Sequence, residues 1–181
     1  YVAYYQTNGT LSWTRLISGN ASVKSVAVND SGYVFATGYF SGPVDFDTQS
    51  ASGNLTSSTG SNDIFMAKFN PNGGLIWVYK FGSSNGDEGH DICIDQNGNV
   101  VMTGIFNTLV DFDPSPGGTF NLTTPQSTTN GYVAKYDENG NFIFAFKMPG
   151  TIANKVKTDL NNNVIVNGTL HGFGNFNTSG S

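Results

Sequence analysis

The chain has 181 residues, of which 38% are hydrophobic, 13% aromatic and only 12% charged. Its net charge is −5, and its eight Lys and Arg are spread singly along the sequence. A phosphate backbone or an anionic membrane surface finds no basic cluster here, so nucleic acid is not an expected partner. No run approaches the roughly 18 apolar residues of a membrane helix, so membrane insertion is not expected either.

Gly, Asn, Ser and Thr take the place of the missing charges, with 23, 22, 17 and 18 residues. These are poor helix formers and good turn formers. The composition therefore predicts an all-β protein of short strands joined by tight turns. The single cysteine, Cys93, sits at Ile92-Cys93-Ile94 inside a predicted strand and reads as a small packed side chain.

In chain order, the first element is a strand, Tyr1-Val2-Ala3-Tyr4-Tyr5, which opens a repeat segment that ends at Trp13. The block Val26–Phe40 follows, then Val44-Asp45-Phe46-Asp47, then Asn54-Leu55-Thr56. The same series returns. Asp63–Phe69 is a strand, Pro71-Asn72-Gly73-Gly74 a turn, and Leu75–Phe81 a second strand. His90–Asp95 and Asn99–Phe106 read as a hairpin, followed by Val110-Asp111-Phe112-Asp113 and a short strand at Phe120–Thr123. A third series runs from Tyr132 through Phe144 and Val156–Leu170 to a worn Gly174-Asn175-Phe176-Asn177. Trp13, Trp77 and Phe144 hold one repeat position, 64 and 67 residues apart.

Each copy supplies two hairpins, which cannot bury both faces without a neighbour. A four-stranded antiparallel sheet repeated by stacking is the blade of a β-propeller. The sequence divides into copies at 1–62, 63–130 and 131–181. Three blades fall short of the typical 4–8, so the expected object is an arc of a larger propeller, completed by further sequence or by a partner. The Gly after each fourth hydrophobic strand (Gly38, Gly104, Gly168) is expected where backbones approach closely near a crowded propeller axis.

The segments Asp63–Asn70, Gly73–Trp77, Gly86–Val100 and Thr103-Gly104 resemble the SBBP β-propeller repeat. The Val110–Pro114 extension looks like the version common in secreted proteins of Bacteroidota. The likeness covers nearly the whole chain, strongest in the middle copy and weakest in the third. It implies an extracellular or cell-surface location and export, often by type IX secretion with a C-terminal sorting domain. No sorting domain is visible in these 181 residues. The family's molecular role is mostly unassigned, so the resemblance implies location more than activity.

Four carboxylates are the sharpest candidate site: Asp45 with Asp47, and Asp111 with Asp113. Two residues apart, they can converge on a hard cation such as Ca²⁺. The competing reading makes them acceptors of backbone N–H groups while Phe46 and Phe112 plug the core. The third copy favours this, because Asn175-Phe176-Asn177 keeps the ring and loses both charges. Calcium is thus the one cofactor to test.

Asp95–Asn99 and Asp137–Asn141 look faintly like Ca²⁺ loops but lack the distal bidentate Glu, and an Asx hairpin turn explains every residue. Asp87, Glu88, His90 and Asp91 form the one copy-specific acidic cluster; the other histidine, His171, is far along the chain. Trp13, Trp77 and Phe144 suit a core between blades better than a sugar-stacking platform. Asn-X-Ser/Thr sequons at Asn8, Asn20, Asn29, Asn54, Asn121, Asn167 and Asn177 are expected by chance in this composition.

No nucleophile elbow or phosphate loop is present. The leading functional expectation is a non-catalytic module that binds a protein or glycan, or scaffolds adhesion. The alternatives are a polysaccharide lyase or hydrolase on the same fold, and a structural spacer. Expected partners are a surface protein or glycan, the rest of a longer chain, and secretion machinery.

Overall fold

A computed structural model describes residues 1–48, 53–58, 60–125 and 128–171. The third Asn-Phe-Asn element and the Asn177 sequon lie outside the described residues. No helix among the described residues is long and apolar enough to cross a membrane. The regular elements are antiparallel strands, as the composition predicts.

A hairpin of β1 (Val2–Tyr5) and β2 (Leu11–Arg15) comes first. The next sheet begins with β3 (Ser18–Val28) and β4 (Val34–Asp45), whose far end carries the short β5 (Asn54–Thr56). It is completed by β6 (Asp63–Phe69) and β7 (Leu75–Phe81), in the order β3-β4-β6-β7. A second full sheet uses β8 (Glu88–Ile94) and β9 (Val100–Asn107). β10 (Leu109–Asp111) and β11 (Asn121–Thr123) pair apart from it. β12 (Thr129–Tyr136) and β13 (Phe142–Met148) complete the order β13-β12-β9-β8. The last hairpin is β14 (Thr151–Thr158) with β15 (Val164–Leu170).

Each full sheet joins the second hairpin of one copy to the first hairpin of the next. β4 pairs with β6, and β9 with β12. β7 and β8 are consecutive in one copy yet lie in different sheets. The divisions at residues 62 and 130 thus mark the period of the sequence, and hydrogen bonding groups the strands half a period later. Burial gives the reason. β6 is buried along its whole length, and β9 and β12 nearly so. A strand that is apolar on both faces belongs inside a sheet with layers on either side.

Side chains alternate between the two layers they touch. On β6, Ile64 and Met66 join the core shared with the second full sheet, while Phe65, Ala67 and Phe69 join the core shared with β1–β2. A third core lies between the second full sheet and β14–β15, around Val101, Val133 and Val156. Cys93 is a buried free thiol in that core, as the sequence predicts.

The end strands β3 and β8 of the full sheets, and β14 of the last hairpin, each carry a bulge at the same repeat position, around Lys24, His90 and Asn154. The bulge pushes a carbonyl toward the neighbouring strand. A Cβ on Gly38, Gly104 or Gly168 would overlap the carbonyl oxygen of Ser22, Glu88 or Ile152 respectively. The repeated glycine is therefore a close-approach residue, but what crowds it is the bulged strand of its own hairpin and not a central axis.

Candidate functional site

The two Asp-Phe-Asp elements have one geometry. Phe46 and Phe112 are fully buried, and Phe112 packs against Phe81, Phe106 and Tyr132 with ring centroids 5.9, 5.9 and 4.8 Å away. Asp45 Oδ1 accepts the Asp47 N–H at 2.8 Å, and Asp111 Oδ1 accepts those of Asp113 and Phe120 at 3.0 and 2.8 Å. Asp113 Oδ1 accepts the Ser115 N–H and hydroxyl at 3.0 and 2.6 Å. Among the described residues, no group of three or more His, Cys, Asp or Glu is placed to hold a metal. The carboxylates shape the loop that seats each phenylalanine.

The acidic cluster is dispersed by the fold. Asp87 is fully buried; its Oδ1 accepts the Asn107 N–H at 2.7 Å. Its Oδ2 accepts the Ser83 N–H and hydroxyl at 2.7 and 2.9 Å. His90 Nδ1 lies 2.8 Å from the Ala153 carbonyl, and its Nε2 3.4 Å from Glu88. Asp91 faces the neighbouring layers: Ser25 Oγ donates to its Oδ1 at 2.5 Å, and the Val156 N–H to its Oδ2 at 3.0 Å. Lys155 Nζ stands 3.7 Å from the same carboxylate.

Ser25, Asp91 and Lys155 occupy equivalent positions on β3, β8 and β14, so one residue per copy builds a polar seam through three layers. Sequence reading missed this seam. The signal was present, because each residue immediately precedes the aligned Val26, Ile92 or Val156.

Desolvation pushes the Asp87 carboxyl up from 3.8 to about 6, against the pull of its Asn107 and Ser83 donors. Burial also raises Asp63. A raised pKa means that the folded state holds the proton more tightly than the unfolded chain. That contribution is complete below 3.8 and is lost as pH rises through about 6. The size is roughly 3 kcal/mol for Asp87. Asp95, Asp137 and Asp159 have lowered pKa values, so their contribution disappears as pH falls below the ordinary carboxylate range. The melting temperature is therefore expected to peak near about pH 4–5 and decline toward neutrality. The decline should shrink in Asp87→Asn, leaving the part that the raised Asp63 carboxyl contributes. A wild-type profile rising steadily to pH 7 contradicts this assignment.

The hairpin turns form a polar surface of repeated design. Asn29, Asp95 and Asp159 open the turns of hairpins β3–β4, β8–β9 and β14–β15, and Asn70 and Asp137 those of β6–β7 and β12–β13; each side chain accepts the N–H groups two and four residues on. The fourth turn residue has positive φ, which Gly98 supplies at 81° and Asn162 tolerates at 63°. The loops resembling Ca²⁺ sites are thus Asx turns. In Asp95, burial is outweighed by donors from Lys135, Asn99 and Asn97, which hold the carboxyl below its usual value.

Turns of successive layers are stapled together. Trp13 Nε1 donates to Pro71 O at 2.9 Å, Lys68 Nζ to Glu138 O at 2.7 Å, and Gln96 N to Asn162 Oδ1 at 2.8 Å. Trp13, Trp77 and Phe144 pack against the three interlayer cores, the structural role expected for them. Between the turns runs a polar groove of about 350 Å³ whose lining includes Asp30, Ser31, Gln96 and Glu138. A larger, apolar groove of about 480 Å³ lies between β13 and the last hairpin, lined by Phe146, Met148, Val164 and Val166.

Fold and site together define an all-β repeat protein of stacked antiparallel sheets. No family model matches the chain. The uncharacterized WD repeat-containing protein L264 of Acanthamoeba polyphaga mimivirus is 28% identical, over 84% of this chain and 13% of that protein. This chain therefore spans about 13% of the length of that curated relative. A WD-repeat likeness is consistent with a propeller-like repeat. A crystal structure of a protein of unknown function from Bacteroides caccae matches 88% of this chain and 57% of its own, at TM-score 0.33 and 14% identity.

Proposed function

We propose that the chain is a non-catalytic propeller module of SBBP type, exported to the cell surface or beyond, and that it binds a protein or glycan through its turn surface. The observation that carries this is the groove lined by Asp30, Ser31, Gln96 and Glu138. Its walls are turns already fixed by internal hydrogen bonds, so binding orders little new backbone. The acidic cluster supports the non-catalytic reading. Asp87 and Asp91 are committed to backbone and hydroxyl donors inside the fold, and His90 to a carbonyl of the next layer. The SBBP type and the exported location rest on the sequence resemblance; the WD-repeat relative supports the coarser propeller reading.

Binding of the 181-residue chain to a glycan array and to surface-protein extracts tests the proposal. The expected result is retention without turnover, weakened at least tenfold in a Gln96→Ala, Glu138→Ala variant whose melting temperature is unchanged. Turnover of a polysaccharide that is lost in His90→Ala would replace this reading with the enzymatic one.

A further inference from the structure

Asparagine followed by glycine is the pair in which a side-chain carboxamide is most open to attack by the next backbone nitrogen, because glycine has no Cβ to obstruct the approach. The chain has seven such pairs, beginning at Asn8, Asn72, Asn85, Asn97, Asn130, Asn139 and Asn167. The fold closes six of them.

In the four pairs that lie in hairpin turns, the attacking nitrogen is already engaged. Gly9, Gly73, Gly98 and Gly140 donate their N–H groups across the turn to the carbonyls of Gln6, Asn70, Asp95 and Asp137, at 2.9, 2.8, 3.0 and 3.0 Å. Turning that nitrogen onto the neighbouring carboxamide would break the bond that closes the turn. Asn130-Gly131 and Asn167-Gly168 lie within β12 and β15. Gly131 is paired on both sides, with Ile105 of β9 and Met148 of β13, and Gly168 is paired with Ala153 of β14. The ladder holds both backbones extended, and ring closure would need them to rotate out of it.

Asn85-Gly86 is different. It lies in the exposed connection between β7 and β8, and a Cβ on Gly86 would meet nothing. Among the described residues, nothing accepts the Gly86 N–H and nothing holds the Asn85 carboxamide. The groups on either side are fixed. The Asn85 N–H donates to Ser83 Oγ at 3.2 Å, the Asn107 side-chain amide donates to the Gly86 carbonyl, and the Asp87 N–H donates to the Asn62 carbonyl at 2.8 Å.

We propose that Asn85 is a site of spontaneous covalent modification, converted to aspartyl and isoaspartyl forms while the other six pairs stay intact. The Gly86 nitrogen gives up its proton to solvent and attacks Asn85 Cγ. The new N–Cγ bond closes a succinimide ring, and the side-chain nitrogen takes up a proton and leaves as ammonia. Water, the sole co-reactant, then opens the ring. Cleavage of the N–Cγ bond restores the normal chain with an aspartate. Cleavage between that nitrogen and the Asn85 backbone carbonyl leaves the chain running through the side chain, one carbon longer. The longer chain disturbs a lock: Asn107 holds the Gly86 carbonyl, and the next residue, Asp87, accepts the N–H groups of Asn107 and Ser83 at 2.7 Å each. The isoaspartyl form therefore loses stability. Asn85→Asp adds the charge without the carbon and keeps the lock. The modification does not depend on which ligand the turn surface takes.

Incubation of the 181-residue chain at mildly alkaline pH, followed by peptide mass mapping of all seven pairs, tests this. Asn85 should convert at least about tenfold faster than any other pair, the factor that one hydrogen bond surrendered on the way to the transition state imposes on the rest. In the urea-unfolded chain the seven should convert at similar rates. Gly86→Ala, whose methyl meets nothing, should silence the site without lowering the melting temperature. The isoaspartyl species, separated by ion exchange, should melt below both the wild type and Asn85→Asp. A turn pair that converts as fast as Asn85 in the folded chain overturns the proposal. So does an isoaspartyl species that melts with the wild type.

Discussion

Gly104→Ala is expected to cost roughly 4 kcal/mol or more and to leave little folded protein at room temperature. The added methyl overlaps the Glu88 carbonyl oxygen, which is backbone and lies in the bulge that His90 creates. Neither partner can step aside. The carbonyl belongs to β8, whose Asp91 is bound to Ser25 and Val156 of the adjacent layers. Gly38→Ala should behave alike, because Ser22 presents its carbonyl in the same way. Gly86→Ala is the control: its Cβ would meet nothing, and a change within about 0.5 kcal/mol is expected. Urea midpoints of the three variants provide the comparison. Wild-type stability in Gly104→Ala would mean that the bulge is absent.

Phe112→Ala should be the other large loss, about 3–5 kcal/mol. The ring is fully buried among Phe81, Phe106 and Tyr132, and the loop that holds it cannot collapse without breaking the Asp111 and Asp113 hydrogen bonds. Asp111→Asn keeps the oxygen that accepts from Asp113 and Phe120, so its cost should stay below about 1 kcal/mol. Removing divalent ions with EDTA is expected to leave the melting temperature where it was. The opposite ranking, with Asp111→Asn costing more than Phe112→Ala and EDTA lowering the melting temperature, would assign the element to calcium.

Much of this was legible in the sequence because a repeat states the same requirement several times. The strands, turns and interlayer role of Trp13, Trp77 and Phe144 all follow from residues that recur at one period. The worn third copy was informative for the same reason: Asn175 and Asn177 separate what the loop needs in shape from what it carries in charge. Two features were not legible. A repeat has no intrinsic starting point, so periodicity cannot say whether β7 pairs with β8 or β4 with β6. Burial decides that, and it depends on layers contributed by other copies. The Ser25–Asp91–Lys155 seam was hidden because its three residues differ in chemistry, and alignment by similarity passes over positions that complement one another. The Asp87–Asp91 cluster misled in the other direction: neighbours in sequence, its carboxylates point into different layers.

The central claim is that each sheet joins hairpins from two successive copies. Backbone nuclear Overhauser effects in the 181-residue chain test it directly. Cross-peaks are expected between Gly38 and Phe65 and between Gly104 and Tyr132, the paired residues of β4–β6 and β9–β12. A backbone ladder joining Leu75–Phe81 to Glu88–Ile94, with those cross-peaks missing, would place both hairpins of one copy in one sheet and contradict the account.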